Sequence, residues 1–134
     1  MKKLTGIIFA VFMCFFLGAE PSERYVTINY KGMESGVEDF PEWIDAADEG
    51  AVNKVAKAHK INQKQYSVFV QTTQSKNLEY AKNEAIRNIY ESQAKQQISE
   101  ENGLEFVNDF WYQVKDTKTK KTVYYYYTVY KLRK

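Results

Sequence analysis

The chain has 134 residues, 44% hydrophobic and 27% charged, with a formal net charge of +2. That length suits one domain rather than two, and the apolar content is too high for intrinsic disorder. The small net charge gives no electrostatic case for nucleic acid or acidic lipid as a general partner.

Lys2 and Lys3 form a basic start, and an apolar run of about 14 positions follows from Leu4 to Leu17 before the small residues Gly18 and Ala19. A bilayer-spanning helix needs about 20 residues, so the segment reads as a secretory signal over residues 1–19. Cleavage after Ala19 removes the chain's one cysteine and two of its 19 basic residues, which leaves 17 against 17 acidic residues and a net charge of zero. The mature domain then has neither a disulfide nor thiol chemistry. Cys14 opens a second outcome, acylation as the first residue of a bacterial lipoprotein. Met13 precedes it where a small residue is expected, and Phe15, Phe16 and Leu17 carry the apolar run past it, as they do around an ordinary cysteine of a signal's apolar region.

Residues 20–38 read as an extended arm and loop, with a short strand over Tyr25 to Tyr30 and a loop marked by Gly32 and Gly36. Residues 39–134 read as a single α+β domain. Asp39, Pro41 and Glu42 have the form of a capping box, and Ile44, Ala47, Ala51, Val55 and Ala58 recur at helical spacing, so one short helix is expected to end near Lys60. Tyr66 to Thr73 alternates as a strand. Ser75 or Asn77 then caps the main helix, whose inner face carries Leu78, Ala85, Ile89, Gln93 and Gln96, with Ala81 and Ile86 at its margins, and which stops at Asn102 and Gly103.

Phe106 to Lys115 and Thr122 to Leu132 are two long β-runs separated by a polar turn, which predicts an antiparallel hairpin. Alternation along the second run sends Tyr124, Tyr126 and Tyr130 to one face and Tyr125 and Tyr127 to the other. The element order predicts an antiparallel sheet of three strands, four with the N-terminal arm, packed on the long helix and preceded by a shorter one.

Several pieces together resemble a bacterial envelope lipoprotein family typified by the twenty-kilodalton lipoprotein of Helicobacter. They are the signal segment, Pro41-Glu42-Trp43, the strand from Tyr66 running into the helix that bears Asn77, Leu78, Ala81 and Ala85, and Phe110-Trp111-Tyr112 beside Tyr126 to Tyr130. The resemblance covers roughly Pro41 to Leu132. It implies a cell-envelope α+β domain, often lipid-anchored, with no shared catalytic activity and no active-site residue. The sequence around Cys14 and the added helical segment from Asp45 to Lys64 depart from that pattern.

Catalytic chemistry finds little support in the residues. His59 stands alone without cysteine partners, which is poor for zinc, and neither Ser67 nor Ser75 sits in a nucleophile elbow. The acids Glu38, Asp39, Glu42, Asp45, Asp48 and Glu49 fit a helix start better than a cation loop. No catalytic, metal or cofactor residue is nominated. What stands out is 21 aromatics, concentrated on the hairpin. Rings that do not fill the core, with Trp111, Tyr125 and Tyr127 as candidates, would form a binding face. The expected function is therefore that of an exported, non-enzymatic envelope protein, periplasmic or associated with the outer membrane. It would act by association with an envelope protein or with itself, and touch a membrane only through its signal or a lipid. The alternative is a glycan or small-ligand module using the exposed aromatics. An edge strand guarded by lysine, proline or a bulge would argue against association.

Overall fold

The computed structural model describes residues 23–95 and 103–134; the signal segment, Cys14 and the helix stop at Asn102 lie outside the described residues. Four strands form one antiparallel sheet: β1 (Tyr25–Tyr30), β2 (Tyr66–Ser75), β3 (Leu104–Asp116) and β4 (Thr122–Arg133). Their order is β1-β3-β4-β2, which makes β1 and β2 the two edges. Three α-helices pack on the sheet: α1 (Trp43–Asp48), α2 (Val52–Ala58) and α3 (Leu78–Lys95). The α+β class is as the element order predicts, and the N-terminal arm is the fourth strand. No helix among the described residues is long and apolar enough to cross a membrane.

The long β-runs pair as the hairpin, from Leu104 with Leu132 to Lys115 with Thr122. Asp116 closes its turn, accepting from the amides of Lys118 at 2.9 Å and Thr119 at 3.3 Å. Asn77 is the cap of α3: its Oδ1 accepts from the Tyr80 amide at 3.1 Å, while Ser75 Oγ accepts from the Asn77 amide at 3.2 Å. Ala81, Ala85 and Ile89 of α3 are completely buried.

Both faces of the sheet are covered. Leu104, Phe69, Tyr130 and Leu132 pack with Ile89, and Trp111 and Tyr126 pack with Ala81 and Ala85, all on the α3 side. On the opposite side Phe110, Tyr112, Val114, Tyr127 and Val129 form the larger core with Phe40, Trp43, Ile44 and Val55. Small alanines on α3 let the helix lie close to the sheet, whereas the bulky Phe40 and Trp43 fill the gap under the short helices.

The expected single helix from Asp39 to Lys60 is two helices. Gly50 adopts φ +74°, a left-handed conformation that ends α1, and the Ala51 amide returns to the Ala46 carbonyl at 2.8 Å. The break resets the helical phase, so Ala56 is buried where Ala58 was expected. Asp39 does not cap α1. Phe40, only 2% exposed, pins the chain in the core, and Glu42 precedes the helix with no side-chain cap.

Candidate functional site

β2 is an edge strand of ten residues without a charge, a proline or a bulge. Its register with β4 is unbroken from Tyr66 opposite Arg133 to Ser75 opposite Tyr124. Antiparallel strands alternate the direction of their backbone groups, so one bond fixes the phase. The Lys134 amide donates to the Gln65 carbonyl at 2.8 Å, and Tyr66 turns its amide the other way, to the Asn62 carbonyl at 3.0 Å. Odd-numbered residues of β2 therefore bond to β4, while Val68, Val70, Thr72 and Gln74 aim both backbone groups outward. Among the described residues no backbone or side-chain group bonds to those outward positions.

The other edge is guarded. β1 has six residues, its register shifts between Thr27 and Asn29, and Lys31 follows it in ion contact with Asp109. A short, bulged, charged edge is a poor template for another strand.

Beside the middle of β2 lies a half-open cleft of about 360 Å³ between the strand and the turn from α1 to α2. Ala51, Val52 and Val70 give it apolar surface over the buried Val55, and Asp48, Glu49, Gln71 and Thr72 are among its polar lining. Asp48 is placed by the core. The Tyr127 hydroxyl donates to its Oδ1 at 2.7 Å, and Tyr127 is the residue directly opposite Thr72. Burial first, then Tyr112 and Asp48, push the Tyr127 hydroxyl far above the ordinary tyrosine range, so it remains a proton donor to the carboxylate. Glu49 pairs with Lys54 at 3.8 Å, an exposed contact that contributes little. Both acids sit at the C-terminal end of α1, where the helix dipole disfavours them, and not at a helix start as their spacing suggested.

The three aromatic candidates do not form one surface. Trp111 packs on the α3 side, edge-on to Tyr124 with centroids 5.8 Å apart. Tyr125 and Tyr127 point to the opposite side. Tyr127 is 3% exposed, edge-on to Trp43, and Tyr125 stacks on Tyr112 at 4.9 Å. Tyr127 is enclosed in its layer, while Trp111 and Tyr125 are half-buried.

His59 caps α2, with Nδ1 2.8 Å from the Val55 carbonyl and Nε2 3.1 Å from Asn108 Nδ2. A carbonyl accepts only, so the proton belongs on Nδ1 and Asn108 donates to Nε2. Among the described residues no three His, Cys, Asp or Glu side chains come together as a metal site.

The β2 edge escaped sequence reasoning because edge position is a property of strand order. The available signal was a ten-residue uncharged strand between Lys64 and Lys76 with no hairpin partner. No family model matches the chain, and no curated protein or solved structure matches it.

Proposed function

We propose that this chain is an exported, non-enzymatic cell-envelope protein that works by protein association, taking an extended strand of another chain onto the free edge of β2. The observation that carries this reading is the run Val68, Val70, Thr72 and Gln74, whose outward amides and carbonyls have no described partner. Unpaired backbone groups favour strand addition, since each new bond replaces one to water while the side chains set specificity. Export is supported by the basic and apolar start of the sequence, and a lipid on Cys14 would tether the same domain to a membrane.

Thr72→Pro tests the reading cleanly. The Thr72 amide points away from β4, so proline removes a donor from the free edge without costing a bond of the existing ladder. A photo-crosslinker placed at Gln74 in living cells is expected to give a discrete adduct in the wild-type chain and at least tenfold less in the Thr72→Pro variant. A crosslinker at Gln74 that gives the same adducts in both chains refutes association through this edge. The intact mass of the protein in each cell fraction tests its location. A soluble species starting near Glu20, or an acylated species starting at Cys14 in membranes, supports the envelope assignment; a full-length cytoplasmic chain refutes it.

A further inference from the structure

We propose that the strand received by β2 carries an arginine or lysine at the position opposite Thr72, with its charged head held by Asp48 and Glu49. The inference rests on the edge-strand reading above and adds the chemistry of the partner.

Neighbouring residues on paired strands point to the same face, so the side chain opposite Thr72 emerges on the α1 side of the sheet. That is the side on which the cleft opens, since it lies between Val70 and Thr72 of the strand and the turn from α1 to α2. The cleft has two kinds of lining. Val70, Ala51 and Val52 offer apolar surface, and Asp48 and Glu49 offer two carboxylates. A long aliphatic stem ending in a cation matches both, because arginine and lysine lay their methylenes on apolar surface and keep the charged head in polar surroundings. The carboxylates also stand where carbonyls end α1, and a cation is favoured there. Tyr127, the cross-strand partner of Thr72, holds Asp48 before any partner arrives, so the acceptor is pre-positioned and loses little freedom on binding.

A second copy of this chain is a worse occupant. In a two-fold antiparallel pairing of β2 with itself, the residue opposite Thr72 must come from the same face of the partner strand. Tyr66, Val68, Val70, Thr72 and Gln74 are the residues on that face, and none is charged. Self-pairing would also bring two Asp48 and Glu49 pairs to one side of the sheet with no added cation between them.

The probe is an acetylated and amidated peptide of alternating threonine and valine with arginine at its centre, compared with the same peptide bearing norleucine or glutamate there. Binding to protein purified from cells that express the full chain is measured by calorimetric titration. The arginine peptide is expected to bind about tenfold more tightly than the norleucine peptide, the glutamate peptide more weakly than either. In the double variant Asp48→Asn, Glu49→Gln the preference for arginine is expected to shrink to about twofold, with norleucine binding unchanged. The amide oxygen that Asp48→Asn introduces would still accept from Tyr127, so this variant keeps the fold, which an unaltered melting temperature verifies. Thr72→Pro should abolish binding of all three peptides. A peptide N-methylated at alternate residues, which cannot donate to the edge, should fail on the wild-type chain as well.

Equal binding of the arginine and norleucine peptides overturns the inference while leaving the edge reading intact. Binding that survives both Thr72→Pro and N-methylation overturns the edge reading itself. A wild-type dimer in sedimentation that becomes monomeric on Thr72→Pro assigns the edge to a second copy and overturns the basic partner.

Discussion

Tyrosine is unevenly used in this chain, and its hydroxyls explain why. Tyr112 and Tyr127 are 6% and 3% exposed in the core under Trp43, and their hydroxyls interact with each other while Tyr127 also donates to Asp48. A phenylalanine would fill the same space but leave the Asp48 carboxylate without this donor. Burial pushes the Tyr112 hydroxyl up to about 12 and the Tyr127 hydroxyl further still. The consequence for stability has a definite sign. Unfolded tyrosines lose their protons near pH 10 while these two retain theirs, so the folded state binds more protons and loses stability as the pH rises from about 10 towards 12. Urea midpoints measured from pH 8 to pH 11.5 are expected to be flat to about pH 10 and then to fall. Tyr127→Phe is expected to cost about 1 kcal/mol at pH 8 and to show a shallower alkaline fall. Parallel alkaline falls in the two proteins would mean that Tyr127 does not carry the effect.

Elements of this fold were legible where local pattern and tertiary placement agree. The hairpin, a cap at Ser75 or Asn77 and the inward Ala85 and Ile89 of α3 can be read from composition and spacing, whereas Ala81, placed at the margin of that face, is completely buried. The α1–α2 break was harder, because Gly50 stands between two stretches whose apolar residues still fall near helical spacing. It has φ +74° with open space where a side chain would begin, so the backbone angle alone demands glycine. Gly50→Ala is therefore expected to destabilise the chain by about 1 kcal/mol through left-handed strain, lowering the melting temperature by about 4 °C. An unchanged or raised melting temperature would show that the turn relaxes and that Gly50 does not set the break. Bulges hid the face assignments in a similar way. The shift between Phe106 and Asn108 turns the alternation of β3 over, so Phe106 lies on the α3 side while Phe110, Tyr112 and Val114 face α1. Simple alternation places all four on one side. Trp111 and the pair Tyr125 and Tyr127 lie on opposite faces of the sheet, because strand pairing puts Trp111 beside Tyr126 rather than beside Tyr125 or Tyr127. The β2 edge was invisible for the same cause, since strand order comes from how β4 is shared.

At the scale of the whole molecule, the two sheet edges differ in what secures them. β2 is held by ten cross-strand pairs and by the helices on either face. β1 is bound on one side alone, to β3, across a bulge. An ion pair and bonds from Thr117 anchor its beginning. Arg24 donates from Nε to Asp116 Oδ1 at 3.3 Å and from Nη2 to Oδ2 at 3.2 Å, while the Thr117 amide donates to the Arg24 carbonyl at 2.7 Å. The same Asp116 carboxylate closes the β3–β4 turn, so one side chain ties the first strand to the hairpin. The Arg24 guanidinium, helped by the turn amides of Lys118 and Thr119, holds the Asp116 carboxyl down at about 2, below its usual 3.8. A lowered value means that the folded state favours the charged form. The stabilisation is present above about pH 4 and is lost as the pH falls through about 2. Acid should therefore release β1 before it disturbs β2. Hydrogen exchange followed by mass spectrometry at pH 5, 3 and 2, corrected for intrinsic rates, is expected to show protection of β1 falling several-fold more than that of β2 and β4. Asp116→Asn should show the low β1 protection already at pH 5, because an amide keeps the turn acceptor but offers Arg24 no charge. Equal loss across all four strands would mean that the sheet opens as one unit and that Asp116 is not what secures its first strand.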